Sequence, residues 1–183
     1  MMLKDIERIL VSEEEIDEIT SEIASKIYDD YKDSKRHLVL ICILKGSIMF
    51  TTEIMKKLRL PIEIEFMKVS SYGSQTTSSG MINIHLDIKR EDLSDADFII
   101  VEDIIDSGKT LSHLVQYLKE KGACSVKTCT LLDKPSRRTV DFVPDYCGRE
   151  IPDKFVVGFG LDYAEKYRNL PYVGILKPEV YEN

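Results

Sequence analysis

Phe98-Ile-Ile-Val-Glu-Asp-Ile-Ile-Asp-Ser-Gly-Lys-Thr-Leu111 decides how this chain folds. Phe98 to Val101 is an aromatic and β-branched run, the composition of a short strand buried on both faces. Two acids follow, Glu102 and Asp103, then two isoleucines and a third acid, Asp106. Ser107, Gly108, Lys109 and Thr110 then open a helical pattern that continues through Leu111, Leu114, Val115 and Leu118 and closes at Gly122. The reading is a buried strand, a turn and a helix N-terminus in direct succession.

A helix N-terminus leaves backbone N–H groups without intrachain partners and carries the positive end of the helix dipole. An anion fits there, most often a phosphate. Gly108 lets the backbone approach a ligand closely, and the hydroxyls of Ser107 and Thr110 add donors. The Gly-Lys-Thr trio suggests a nucleoside-triphosphatase P-loop, but that motif needs a second glycine five residues before Gly108, where this chain has Asp103. Carboxylates repel phosphate, so acids just ahead of the cradle point to sugar hydroxyls, a divalent metal, or both. The plainer alternative is solvated loop acids before an ordinary helix. Three acids within five residues, followed by the cradle, make it the weaker reading.

The 183 residues, 43% hydrophobic and 31% charged, suit one soluble globular domain. A net charge of −7 without a basic block argues against a nucleic-acid partner. The N-terminus lacks the long apolar core of a signal peptide, and no apolar run is long enough to span a bilayer; a cytoplasmic location is expected. Cys42, Cys124, Cys129 and Cys147 show no Cys-x-x-Cys spacing and read as reduced thiols, mostly core. His37, His85 and His113 are scattered, which gives no zinc-ligand pair.

Ser12-Glu-Glu-Glu15 reads as a capping box, with Ile16, Ile19, Ile23, Ile27 and Tyr31 continuing at helical spacing. His37 to Leu44 is a continuous apolar strand that stops at Lys45-Gly-Ser47, before a second helical stretch through Phe50, Ile54 and Leu58. That bend is either a second anion site or a plain connection. Ile62, Ile64 and Phe66 alternate with Glu63 and Glu65, and Ile82, Ile84, Leu86 and Ile88 with Asn83, His85 and Asp87, the pattern of an antiparallel pair. The loop between them, residues 70–80, is small and polar around one tyrosine, either idle or a lid. Val126 to Leu132 is another buried strand, ending at Asp133 and Lys134, and Asp145 to Pro152 reads as irregular.

Val101 to Leu111 resembles the phosphoribosyl diphosphate (PRPP) binding motif of type I phosphoribosyltransferases, in the form of their hypoxanthine-guanine branch. Leu44 to Ser47 is similar to the family's pyrophosphate loop, whose peptide before the lysine is often cis. Asp153 to Pro171 resembles its second long signature. The motifs stand in the family's order between about Val39 and Ile175. The resemblance implies an α/β fold: a mainly parallel twisted sheet flanked by helices. It adds a small hood from about residues 1–35 and 150–183 of a single domain spanning 1–183.

The implied reaction is Mg2+-dependent transfer of the phosphoribosyl group from PRPP to hypoxanthine or guanine, giving IMP or GMP and pyrophosphate. The carried-over roles place Glu102 and Asp103 on the ribose hydroxyls, with Glu102, Asp103 and Asp162 as the magnesium carboxylates. Asp106, Ser107, Gly108, Lys109 and Thr110 hold the 5-phosphate, and Asp106 is the general base at purine N7. Lys45, Gly46 and Arg168 take pyrophosphate. Lys134 meets the 6-oxo group, Phe155 stacks on the base, the Val156 backbone reads its edge, and Asp162 lies near its 2-position. Ser71 and Tyr72 belong to the lid. Homodimers or homotetramers are usual in the family. The rival readings are a xanthine-preferring relative and a nucleotide-sensing regulator.

Overall fold

The computed structural model describes residues 2–71 and 82–182. In chain order the elements are β1 (Ile6–Val11), α1 (Glu13–Tyr31), β2 (His37–Leu44), α2 (Ile48–Lys57), β3 (Glu63–Ser71) and β4 (Ile82–Leu86). They continue with β5 (Ala96–Ile105), α3 (Lys109–Glu120), β6 (Ser125–Asp133), β7 (Tyr146–Glu150), β8 (Val156–Val157), β9 (Val173–Leu176) and α4 (Pro178–Tyr181). Tyr72 lies outside the described residues, and Ser71 ends β3.

The larger sheet has six strands in the order β4-β3-β2-β5-β6-β7. Every neighbouring pair in it is parallel except β3 with β4. Phe98, Ile99, Ile100 and Val101 are wholly buried in β5, which is bonded along one edge to β2 and along the other to β6. Side chains alternate between the two faces of such a strand. Leu38, Leu40, Ile99 and Val101 join a core with α1 and α2, through Ile16, Ile23, Ile27, Phe50 and Ile54. Val39, Ile41, Phe98 and Ile100 join a second core with Leu111, Leu114 and Leu118 of α3. Helices therefore cover both faces, which is why these strands read as unbroken apolar runs. At the start of α1 the Ser12 hydroxyl accepts from the Glu15 N–H and the Glu15 carboxylate accepts from the Ser12 N–H, the reciprocal cap expected from the sequence.

The structure departs from the sequence reading at four places. Strand β5 does not stop at Val101 but runs to Ile105, because β6 continues alongside it and supplies partners for Glu102, Ile104 and Ile105 in Thr130, Leu132 and Asp133. The acids therefore sit in the strand, not in a turn. Asp145 to Pro152 is not wholly irregular: Tyr146–Glu150 is an edge strand, held parallel to β6 although it lacks an apolar pattern. In β3 the buried anchor is Met67, on the side of Glu63 and Glu65, while Ile64 and Phe66 are 36% and 37% exposed. Of the first 35 residues, only β1 enters the smaller antiparallel sheet, in the order β1-β9-β8, whereas α1 packs on α2 and β7. Among the described residues no helix is long and apolar enough to cross a membrane.

Candidate active site

Strand order reverses direction between β2 and β5, since β2 continues outward to β3 and β5 to β6 on the opposite side. In open α/β sheets the crevice beyond the carboxyl ends at such a point is where ligands bind. Among the described residues singled out in the sequence, Lys45, Gly46, Glu102 and Asp103 meet there. Lys45 and Gly46 follow β2, joined to it by a cis peptide between Leu44 and Lys45. Gly46 lies so close to the end of β5 that a Cβ on it would fall 1.7 Å from Asp103 Oδ2. A Cβ on Gly160 would in turn fall 1.9 Å from the Gly46 carbonyl oxygen, so the lysine-glycine bend is wedged between β5 and the C-terminal signature.

Glu102 and Asp103 are adjacent acids in this wedge. Asp103 is buried, its Oδ1 accepts from the Ile104 N–H at 2.8 Å, and burial raises its pKa. Burial first, and then the neighbouring Asp103 charge, pushes Glu102 well above the ordinary carboxylate range. Glu102 Oε2 is buried and has no hydrogen-bond partner among the described residues. A carboxylate pair so short of donors suits sugar hydroxyls or a divalent cation, either of which would relieve both penalties. No group of three or more His, Cys, Asp or Glu side chains that could hold a metal occurs among the described residues. Asp162 therefore does not form one ligand cluster with Glu102 and Asp103. Its Oδ1 pairs with Arg168 Nη2 at 2.8 Å instead.

Beyond β5, Ile105 to Gly108 turns into α3. Gly108 caps the helix at φ 81°, a left-handed conformation that favours glycine, and offers no side chain to the first turn, where the Ser107 hydroxyl accepts from the Lys109 N–H at 3.4 Å. Glu102, Asp106, Ser107, Gly108, Thr110 and neighbouring residues line a concavity of about 70 Å3, with Lys109 exposed beside it. The scale is that of a tetrahedral anion. A larger cleft of about 270 Å3, lined by Tyr31, His37, Leu60 and Glu63, lies at the amino ends of β2 and β3, away from every residue expected at the site.

Asp106 and Lys134 face each other across the ends of β5 and β6. Lys134 is 5% exposed, and its Nζ stands 3.8 Å from Asp106 Oδ1, too far for a direct hydrogen bond. Asp106 Oδ1 is itself buried and unpartnered. The Ile151 N–H donates to the Asp133 carbonyl at 2.8 Å, which brings the chain toward Phe155 and Val156 past Lys134. Phe155 is 38% exposed and Val156 is buried.

Two contributors were not singled out in the sequence. Arg138 donates to the Asp106 carbonyl and pairs with Asp133, tying the phosphate turn to the end of β6. Glu165 pairs with Lys45 at 3.0 Å and lies 3.5 Å from Arg168, so one exposed carboxylate joins both cations expected to meet pyrophosphate. Neither belongs to a short motif, and only their placement reveals them. The segment carrying Glu165 also holds Phe159, Ala164, Glu165 and Tyr167 at positive φ, strain of the kind that gathers at binding sites.

Comparison with known proteins agrees with this geometry. Residues 6–164 match the family model for the phosphoribosyl transferase domain. The chain is 48% identical over 183 residues to the hypoxanthine-guanine phosphoribosyltransferase of Bacillus subtilis (strain 168), covering 100% of both chains. It is 48% identical over 183 residues, again covering 100% of both, to the protein of that name from Streptococcus pneumoniae (strain ATCC BAA-255 / R6). The crystal structure of a hypoxanthine phosphoribosyltransferase from Staphylococcus aureus superposes with a TM-score of 0.93 at 43% identity, covering 100% of this chain and 97% of that one. The chain belongs to the phosphoribosyl transferase domain family, among the hypoxanthine-guanine phosphoribosyltransferases.

Proposed function

We propose that this enzyme transfers the 5-phosphoribosyl group of PRPP to the N9 of hypoxanthine or guanine, releasing pyrophosphate and forming IMP or GMP. The observation that carries the reading is the Asp106–Lys134 pair, an unpartnered buried carboxylate oxygen 3.8 Å from a buried ammonium beside a phosphate-sized concavity. An oxopurine offers such a pair its N7 proton and its 6-oxo acceptor side by side. Adenine would set an amino donor against the Lys134 ammonium, leaving donors facing each other in a desolvated place.

The roles follow from position. Backbone N–H groups from Asp106 to Thr110, the hydroxyls of Ser107 and Thr110, and the N-terminal dipole of α3 hold the 5-phosphate. Lys45, the Gly46 backbone and Arg168 take the pyrophosphate, exchanging Glu165 for a more highly charged partner. Glu102 and Asp103 accept from the ribose hydroxyls. As the bond to pyrophosphate lengthens, positive charge grows on the sugar ring, and these fixed carboxylates stabilise it without rearranging. Asp106 accepts the N7 proton, Phe155 stacks on the base, and the Val156 backbone reads its edge.

Mg2+ fits here because Glu102 Oε2 is buried without a donor beside the buried Asp103 carboxylate, and such an ion is commonly held by one or two carboxylates plus substrate oxygens. Glu102 and Asp103 would hold it on the ribose side, and Asp162 would be the carboxylate for a separate ion on the base side. When bound, it neutralises charge on the leaving group. Ser71 and Tyr72 remain candidates for a lid that keeps water from the sugar cation. Free thiols at all four cysteines accord with a reducing cytoplasm. A homodimer or homotetramer is supported by half-exposed Ile48, beside the lysine-glycine bend, and by Ile64, Phe66 and Leu86 on β3 and β4.

Four outcomes are expected. Pyrophosphate release, measured with PRPP and magnesium, occurs with hypoxanthine or guanine and not with adenine or uracil; release with xanthine alone moves the assignment to the xanthine-preferring relative. PRPP binding without release from any base favours the regulatory reading. Asp106→Asn lowers kcat by about a hundred- to ten-thousand-fold, with PRPP affinity near that of the parent; unchanged turnover removes Asp106 as the base. Lys134→Ala raises KM for the oxopurines far more than KM for PRPP, and equal losses assign it to the fold. Phe66→Glu yields monomers in sedimentation analysis, while an unaltered oligomer places the interface elsewhere.

A further inference from the structure

We propose that Tyr181, in the C-terminal helix α4, is a positioning residue for the purine: it braces one face of Phe155 so that the other face is presented to the base. The inference rests on the reading of Phe155 as the stacking residue. The two rings are stacked, with centroids 4.8 Å apart and planes inclined by 22°. Tyr163 meets the same ring at right angles, with centroids 5.7 Å apart and planes inclined by 89°. Phe155 nevertheless keeps 38% of its surface exposed. A phenyl ring has two faces. With Tyr181 stacked on one face, the 38% of Phe155 that stays exposed is surface the Tyr181 ring does not take, and there a purine can add a further layer.

The brace is anchored independently of the ligand. The Leu176 N–H donates to the Phe155 carbonyl at 2.9 Å, so backbone and ring of Phe155 are held by the same terminal segment. The Lys177 N–H donates to the Asp5 carbonyl at 2.9 Å, and Pro178 opens α4 at a position where a missing N–H costs nothing. Val180 and Tyr181 pack against Val157, Tyr167, Leu170 and Leu176, a small core separate from those of the large sheet. Phe155 lies in the irregular link before β8, so its own backbone places no helical restriction on its rotamer. A ring free to turn must be ordered each time a base binds, and that ordering weakens binding. Tyr181 supplies the order beforehand.

The test compares Tyr181→Ala, Tyr181→Phe, Phe155→Ala and the Phe155→Ala/Tyr181→Ala double variant in the full-length enzyme. KM for hypoxanthine, KM for PRPP, kcat and Tm are read for each. Tyr181→Ala is expected to raise KM for hypoxanthine about 3- to 10-fold, the scale of one aromatic pair and one ordered side chain, with KM for PRPP and Tm near the parent values. Tyr181→Phe restores the parent behaviour, and the double variant is no worse than Phe155→Ala, because the brace acts only through that ring. If Tyr181→Ala does not fold, Tyr181→Leu, which keeps bulk without a ring, carries the same comparison. A fall in KM for hypoxanthine would mean that Tyr181 covers the face the base needs, and overturns the proposal. So does a parallel rise of both KM values with a lowered Tm, which marks a structural role. Loss in Phe155→Ala but none in Tyr181→Ala sinks the brace and leaves the stacking assignment standing, whereas no effect of Phe155→Ala removes that assignment itself.

Discussion

The ladder that binds β5 along both edges is the constraint on which the site depends. Paired to β2 from Ala96 to Val101 and to β6 from Asp97 to Ile105, this strand cannot slide or bow without breaking hydrogen bonds on both sides. Its four wholly buried residues, Phe98 to Val101, pack against helices on both faces. The ladder to β6 continues three pairs past the last contact with β2. On the β2 side the vacated edge is taken by the Gly46 backbone, pressed against Asp103. Acids that would be solvated in a turn are thereby fixed and partly stripped of water.

Holding carboxylates in that condition is unfavourable until a partner arrives. The raised pKa values of Glu102 and Asp103, both led by burial, express the same penalty that a cation or hydroxyl donors would remove. Nearby, the sheet end has the opposite need: unpaired N–H groups at α3 and the buried Lys134 ammonium call for acceptors. A ligand with hydroxyls in the middle, phosphates at one side and a carbonyl at the other answers all of these together. Glu165 shows how cations are kept in place meanwhile, since it meets Lys45 and Arg168 while remaining exposed and easily exchanged.

The smaller sheet joins the two ends of the chain. Residues 6–11 pair with 173–176, and those with 156–157, so the segment that carries Phe155 is held by pairing remote in sequence. Four residues before Phe155, the Ile151 N–H donates to the Asp133 carbonyl, which ties the entry to this segment to the end of β6, next to Lys134. The proposed base region would thus draw on a strand end of the large sheet and the edge of a small one, apart from the helix start of α3 to which the phosphate and sugar are assigned.

Much of this was legible in the residues themselves. The apolar runs of β2, β5 and β6, the Ser12–Glu15 cap and the Gly108 turn depend on local composition and short spacing, and they stand where the pattern puts them; of the cysteines expected mostly in the core, Cys42 and Cys129 are buried, Cys147 is half-buried and Cys124 is exposed. Glu102 and Asp106 were singled out from the strand end and helix start that carry them, a position beside a ligand being a property of open parallel sheets, whereas Lys134 and Arg168 were singled out only by resemblance to the family. What the sequence could not show is whatever depends on another segment's reach. The length of β5 past Val101 was set by β6, and β7 exists because Cys129 to Asp133 offer it an edge. The inward side of β3 was decided by Met67 and not by its isoleucines. Arg138 and Glu165 carry no local signal, and Tyr181 meets Phe155 only because β9 returns the chain to β8. By itself the sequence determined which residues could bind phosphate, sugar and base, because those capacities are chemical. Which of them stand face to face was decided by strand pairing across long separations, because contact between distant residues is fixed only when the sheets close.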